Sequence, residues 1–422
     1  MKTIIYRNRF LMLAWVLFVF NVFGLAAAGS YTGYKGIVVD KNSGKPLAHA
    51  SIVLSGSSIS TVTNSDGEFS LKIPDELNHS ILTVTFIGYS SKKMPVSDLQ
   101  TERNTIQLEP KPIQLPEVSI ISKDAAAIVK AMFEKIPANY PADEMLMTAF
   151  YRESIKKNRS YVSLSEAVVE VDKQSYASAR SDLARLYKSR KKTDYNRLDT
   201  LTFKLMGGPF NTIYLDVIKN PEYVFTDDMF MNYDFIFDHS THIDDRLIYI
   251  IDFKQKPTNQ DPLYFGKLYV DAESMALKSA VFSLNLSNKE ESSKMFIIKK
   301  PFNATITPFE ASYRIDYEQK DGKWYYSYGR IQLAMKINWK RKLFNTNYFS
   351  AIEMAATDWD PVTESRPIKS KDRLKPSVII ADEALGFGDP DFWGEYNVIE
   401  PEKPIESAIK KIQKQLEKSD KE

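Results

Sequence analysis

The residues of this chain best equipped for chemistry lie in "DHSTHIDD", positions 238–245. His239, His242, Asp244 and Asp245 offer the imidazole and carboxylate donors that zinc accepts. A catalytic zinc needs three protein ligands and an open water position, and no distant third partner can be named. Spacing of three does not by itself align two imidazoles on a strand or loop. A polar loop leading into the strand "RLIYIIDF" reads the segment without a metal. His239, His242 and Asp244 therefore stand as weak metal candidates, and no ligand set is assigned. The chain holds four histidines, His49, His79, His239 and His242, and none has Glu three residues later, so a His-x-x-Glu zinc pair is absent.

Other reaction classes fare no better. With no cysteine there is no thiol nucleophile, and no Gly-x-Ser-x-Gly elbow appears. Gly207-Gly208-Pro209 suits a turn or a lid hinge, but the Gly-Lys-Ser/Thr of a phosphate loop does not come after it. A hydrolase would need carboxylates such as Asp244 with Asp245, or Asp389 with Glu395, in one cleft at a suitable separation. "GFGDPDFWGEY" lacks the ligand spacing of an EF-hand, and its aromatics read as a pin for a C-terminal segment. No catalytic residue and no cofactor is assigned. Charge gathers in "SARSDLARLYKSRKK", where Arg180, Arg185, Lys188, Arg190, Lys191 and Lys192 could meet lipid phosphates or an acidic partner. A solvated helix face is the plainer reading.

The ends and the composition narrow the setting. Lys2, Arg7 and Arg9 precede an apolar run from Phe10 to Leu25, and Ala26-Ala27-Ala28 offers a cleavage site, so residues 1–28 read as a signal for Sec export. A retained anchor is the alternative. Without cysteine the chain cannot be a cysteine-anchored lipoprotein, and it must be stabilised by its core. Roughly 390 residues after the signal suffice for two or three domains, and 43% hydrophobic with 12% aromatic residues supply a sizeable core. A net charge of +2 gives no field to draw in nucleic acid. The expected location is the periplasm or the outer-membrane surface.

The elements that must position these residues are mostly strands. From Tyr34 to Leu108, short runs such as "YKGIVVD", "ASIVLSG", "GEFSLKI" and "ILTVTFIGY" alternate with turn residues, predicting a seven-stranded antiparallel sandwich over 33–109. Within it "TVTNSDGEFSLKIP" predicts a β-hairpin at Asp66-Gly67, with Val62, Phe69, Leu71 and Ile73 sharing a buried face. Pro46, Ala50, Thr63, Asn64, Gly67, Phe69, Gly88 and Tyr89 give this stretch its pattern. That pattern resembles the carboxypeptidase regulatory-like domain, with Asn64 where the family often has Asp. The resemblance implies a transthyretin-like (prealbumin-like) fold, here without the zinc peptidase for which the family is named. Such sandwiches stand at the front of many Bacteroidetes envelope proteins, TonB-dependent receptors among them, but the remaining chain is too short for a receptor barrel.

Pro110, Pro112 and Pro116 predict a stiff spacer over 110–122 that holds the sandwich away from the next domain. A helix is expected in "SKDAAAIVKAMFEKIP", with Ile128, Met132 and Ile136 on one side. The region 123–365 then reads as a large antiparallel β domain. "RIQLAMKINWK" alternates cleanly, and "YFGKLYVDAESMALKSAVFSL" reads as two strands joined at Asp271–Ser274. Gly266, Leu268, Tyr269, Val270 and Asp271 resemble a unit of the half-barrel carriers that escort lipoproteins across the periplasm. Residues 366–422 form a C-terminal extension ending in an amphipathic helix. The fold class is thus mainly β: a sandwich plus a larger α+β half-barrel. The expected function is a non-catalytic envelope protein whose concave face binds a lipid, peptide, glycan or protein segment. The alternatives are an accessory to a TonB-linked outer-membrane transporter, or a hydrolase with an unrecognised site.

Overall fold

The computed structural model describes residues 30–111, 124–193, 207–225, 229–243, 246–259, 261–296, 303–340, 344–362, 368–380, 385–386, 392–402, 405 and 407. The expected signal segment, most of the expected proline spacer, Asp244, Asp245, Asp389 and most of the expected C-terminal helix lie outside them.

The first module packs two small sheets face to face. One contains β1 (Tyr31–Asp40), β4 (Glu68–Pro74) and β7 (Asn104–Leu108) in the order β4-β1-β7. The other contains β2 (Ser51–Leu54), β3 (Ser60–Val62), β5 (Ile81–Thr85) and β6 (Lys92–Pro95) in the order β3-β2-β5-β6. The pairs are antiparallel except β1 with β7, which run parallel. Val38, Ile52, Leu54, Phe69, Leu71, Leu82 and Val84 fill the space between the sheets.

The Asn64–Gly67 turn differs from the expected hairpin. β3 and β4 pair with different sheets, so the turn is an arch that carries the chain from one layer to the other. Asn64 Oδ1 accepts from the amides of Asp66 and Glu68, both at 2.9 Å, which closes the arch as an Asx turn. Because the chain changes layers, Val62 does not join Phe69, Leu71 and Ile73. It turns away from the sandwich and is buried against the second module.

That second module is one open sheet. Ten antiparallel strands run in the order β11-β12-β13-β14-β15-β16-β17-β8-β9-β10, and the two-residue β18 (Leu385–Gly386) adds in parallel at β10. The strands are β8 (Met145–Lys157), β9 (Ser160–Lys173), β10 (Leu183–Thr193), β11 (Tyr233–Ile243), β12 (Arg246–Gln255), β13 (Tyr264–Asp271), β14 (Leu277–Leu284), β15 (Ala304–Lys320), β16 (Lys323–Trp339) and β17 (Thr346–Pro361). In β16 the predicted alternation holds, with Ile331, Met335 and Ile337 in the core. The predicted pair β13–β14 also forms, closed where Asp271 accepts from the amide and hydroxyl of Ser274.

One face of the sheet packs against the chain's own helices. Helix α1 (Ala125–Glu134), capped by the Asp124 side chain, buries Ala125, Val129 and Met132 there. The segment 207–225, containing the short helix α2 (Phe210–Ile213), lays Phe210, Ile213, Val217 and Phe225 beside them. Among the described residues these side chains pack on the face expected to hold an apolar ligand.

Residues 183–193 are a strand and not the helix face expected from "ARSDLARLYKSRKK". Cross-strand pairing overrides the helical preference of Ala, Leu, Arg and Lys: Arg185 pairs with Glu170 and Arg190 with Glu166 across the β9–β10 ladder. His239 and His242 likewise lie on a strand, β11, rather than in a loop.

Gly67 has φ +74°, and a Cβ there would meet Pro46 Cβ and the Val38 carbonyl, each at 2.8 Å. Gly67→Ala should lower stability by about 1–3 kcal/mol, the cost of a strained left-handed residue. Urea unfolding measures this; an unchanged midpoint would show that the arch tolerates a side chain.

Candidate functional site

The register of the sheet lines up charges. On the convex face Arg314 lies opposite Arg330, Arg330 opposite Glu353, Glu353 opposite Arg152, Arg152 opposite Glu166 and Glu166 opposite Arg190. Six adjacent strands thus contribute one row of four arginines and two glutamates. Glu166 is fully buried and bridges Arg152 and Arg190, each at 2.7 Å. Burial alone would raise its pKa, but the two guanidinium groups outweigh burial and hold it below the ordinary value. A bulge after Leu186 lets Arg185, Lys188 and Arg190 share this face although their spacings are odd and even.

Two covers close over the row. The first is residues 392–402. Arg152 Nη2 donates to the Ile399 carbonyl at 2.8 Å, and the Arg190 guanidinium lies 4.8 Å from the Trp393 ring centre. Trp393 also meets Phe150 edge-on at 5.4 Å. Glu402 accepts from Tyr161 at 3.1 Å. The opposite side of this segment belongs to the sandwich: Asn397 exchanges two hydrogen bonds with the Lys72 backbone, and Thr61 and Asn64 donate to the carbonyls of Val398 and Glu400. The Asn64 amide does what an aspartate at that position could not, since a carboxylate has no hydrogen to donate.

The second cover is His49. Its ring stacks on Tyr328 at 5.6 Å, and its carbonyl accepts from Arg314 at 3.3 Å. Burial, then the charges of Arg330 and Arg314, hold the imidazole well below its usual pKa of 6.5. Together with Ser60, whose hydroxyl donates to the Ala356 carbonyl at 2.9 Å, these contacts seat the sandwich directly on the sheet. The proline spacer does not hold the two apart as expected. Val62, Phe150, Val168, Tyr328, Ala355, Trp393 and Ile399 form a small core at the junction.

Beside this junction the two modules leave a cleft of about 280 Å³. Tyr325 and Trp359 form its aromatic wall, their rings 5.2 Å apart, with Tyr326 deeper. The sandwich supplies a rim of hydroxyls from Ser55, Ser57, Ser58, Ser60, Thr83 and Thr85, and the end of β15 and the turn after it add Glu318 and Asp321. Ser58 donates to Asp358 across the junction. The cleft joins an apolar wall to a polar rim, an arrangement that orients a small ligand.

The residues singled out in sequence fare differently. His239 contacts Asp238 at 3.1 Å, while His242 projects to the other side of β11, so spacing of three divides the pair. Asp244 lies outside the described residues. Among the described residues no group of three metal-binding side chains occurs. Of the basic cluster, Arg180 meets Glu144 at 2.7 Å, Arg185 pairs with Glu170, and Lys188 and Arg190 hold the 392–402 segment. Lys191 also has a partner, and the Lys192 side chain lies outside those described.

Acid, base and amine groups converge at one further place. Lys173 bridges Asp182 and Asp216 at 2.7 and 2.8 Å, and Asp216 accepts from Tyr176 and Tyr317. Every member is buried, and the set is satisfied internally. It works as a cross-link fastening the 207–225 segment to the sheet.

The seven-stranded fold, with its Asn64–Gly67 arch leading to Phe69, meets a family description. A model for the CarboxypepD_reg-like domain matches residues 34–120. The sandwich is a CarboxypepD_reg-like domain. No curated protein matches the chain. Solved structures similar to it include a DUF1329 family protein from Desulfovibrio piger, with 10% identity, TM-score 0.23, and 57% of this chain and 95% of that chain covered. A LolA superfamily protein from Nitrosomonas europaea gives 11% identity, TM-score 0.21, and coverage of 60% and 99%.

Protonating His49 places a third positive charge beside Arg314 and Arg330, next to Tyr328 and near Glu353. Because its folded pKa is lowered, its neutral form stabilises the fold above pH 6.5, and that contribution is lost as pH falls below 6.5. Urea midpoints should therefore drop between about pH 7 and pH 5, and His49→Gln should flatten the slope. Parallel slopes in the two proteins would contradict this.

Proposed function

We propose that the protein is a non-catalytic binding protein of the bacterial envelope, and that it holds a segment of glycan in the cleft between the CarboxypepD_reg-like domain and the large sheet. One observation carries the reading: the Tyr325–Trp359 wall faces a rim of serine and threonine hydroxyls. The apolar face of a sugar ring stacks on aromatic carbon, and its hydroxyls exchange hydrogen bonds with side-chain hydroxyls and carboxylates. On the other face of the sheet, α1 and the 207–225 segment pack apolar side chains of their own.

Sequence and structure support the setting in different ways. The amino-terminal pattern is that of an exported chain, and among the described residues no helix is long and apolar enough to cross a membrane. The protein then works at the periplasmic or outer-membrane surface, where a glycan-presenting module can stand beside an uptake transporter.

A glycan array followed by calorimetry on the purified protein tests the assignment. Tyr325→Ala, at a partly exposed position, should weaken the best glycan about tenfold, consistent with loss of one aromatic contact. Unchanged affinity in this variant, or no glycan bound on the array, would sink the reading.

A further inference from the structure

A second surface stands apart from the cleft and obeys a different electrostatic rule. At the start of β10, the Leu374 amide donates to the Ala184 carbonyl at 2.8 Å and ties residues 369–375 along the strand. Val378 and Ile380 are buried beneath, so the segment is mounted on the core. Between it and β10 lies an open groove of about 760 Å³, lined by Arg185, Tyr187, Lys371, Arg373 and Lys375, with Asp372 its one carboxylate.

The segment reads "KSKDRLK", and Lys369, Lys371, Arg373 and Lys375 are all exposed. Arg373 donates to the Ile368 carbonyl at 3.2 Å. Among the described residues, Lys369, Lys371 and Lys375 have no carboxylate partner. This contrasts with the convex row, where Arg152 and Arg190 are paired with Glu166, and with Arg185 in the groove itself, whose charge Glu170 already meets. Four like charges within seven residues repel one another, and a counter-anion relieves that repulsion. Tyr187, half exposed beside them, supplies an amphipathic ring of the kind found at membrane interfaces.

We propose that the groove between β10 and residues 369–375 is a docking surface for phosphate-bearing lipid headgroups, so that the protein rests on an anionic membrane through this face. The charges make a distributed patch on a chain of net charge +2, so attraction is local and not a property of the whole molecule. The ammonium and guanidinium groups contact headgroup phosphates from the water side, and no helix need enter the bilayer.

The test is co-sedimentation of the full chain with vesicles of phosphatidylglycerol and phosphatidylcholine, compared with phosphatidylcholine alone. Binding should require the anionic lipid and fall at least about tenfold between low and physiological salt. The variant K371E/R373E/K375E should lose at least about tenfold in binding. A control with the same charge change at scattered exposed sites, K92E/K254E/K336E, should keep most of it. Circular dichroism confirms that both variants fold. Inorganic phosphate at millimolar concentration should compete only weakly; full displacement by free phosphate would make the groove a small-anion site and overturn the membrane assignment. Equal losses in the two variants, or no binding to anionic vesicles, would overturn it as well. Glycan affinity in K371E/R373E/K375E should be unchanged, which separates this surface from the cleft.

Discussion

Buried charge is the constraint on which this architecture rests. A guanidinium or carboxylate removed from water is costly unless it is paired and its remaining hydrogen-bonding groups are satisfied, and breaking one buried pair costs about 3–5 kcal/mol. Glu166, with no exposed side-chain area, is satisfied by arginines on both neighbouring strands. Arg152 has donor capacity left over, and it is the Ile399 carbonyl that accepts it. Arg314 finds its acceptor on His49. The sheet's charged row therefore needs covers, and the covers are the 392–402 segment and the amino-terminal sandwich. Their seating places the serine-rich β2–β3 loop opposite Tyr325 and Trp359, so the cleft is a consequence of how the row is closed.

The two faces of the sheet solve burial in different ways. The concave face buries apolar side chains against α1 and the 207–225 segment, and fastens that segment with the Lys173–Asp216 cross-link. The convex face buries ions against a polar strap and a second module. Hydrophobic packing is largely indifferent to direction, whereas charge-assisted hydrogen bonds fix register and orientation. A cleft between modules built on the convex face can thus be held to a defined shape.

Much of the fold was legible in the sequence. Alternation in β16 and the β13–β14 pair gave strand faces directly, and the regular spacing of short strands gave the sandwich. The arch at Asn64–Gly67 misled because a turn motif specifies local geometry but not which sheet receives the next strand. Residues 183–193 misled because their pairing with β9 is a tertiary effect that outweighs local propensity. The convex row was hidden more deeply. Arg152 in "AFYRES" and Glu353 in "AIEMAA" have nothing in their local sequence to join them. They become neighbours only because β17 pairs with β8, two strands far apart in sequence. Asn64 did carry a signal, as the departure from the usual Asp of its motif, and its amide turned out to bind the strap.

The central claim is that the two modules form one body rather than two joined by a proline spacer. The chain has no cysteine, so two introduced cysteines can carry the only spin labels. Labels at Lys92 on the sandwich and Lys254 on the sheet, read by double electron–electron resonance, test the claim most directly. One narrow distance distribution is predicted. A broad distribution, as from modules moving independently, would contradict it.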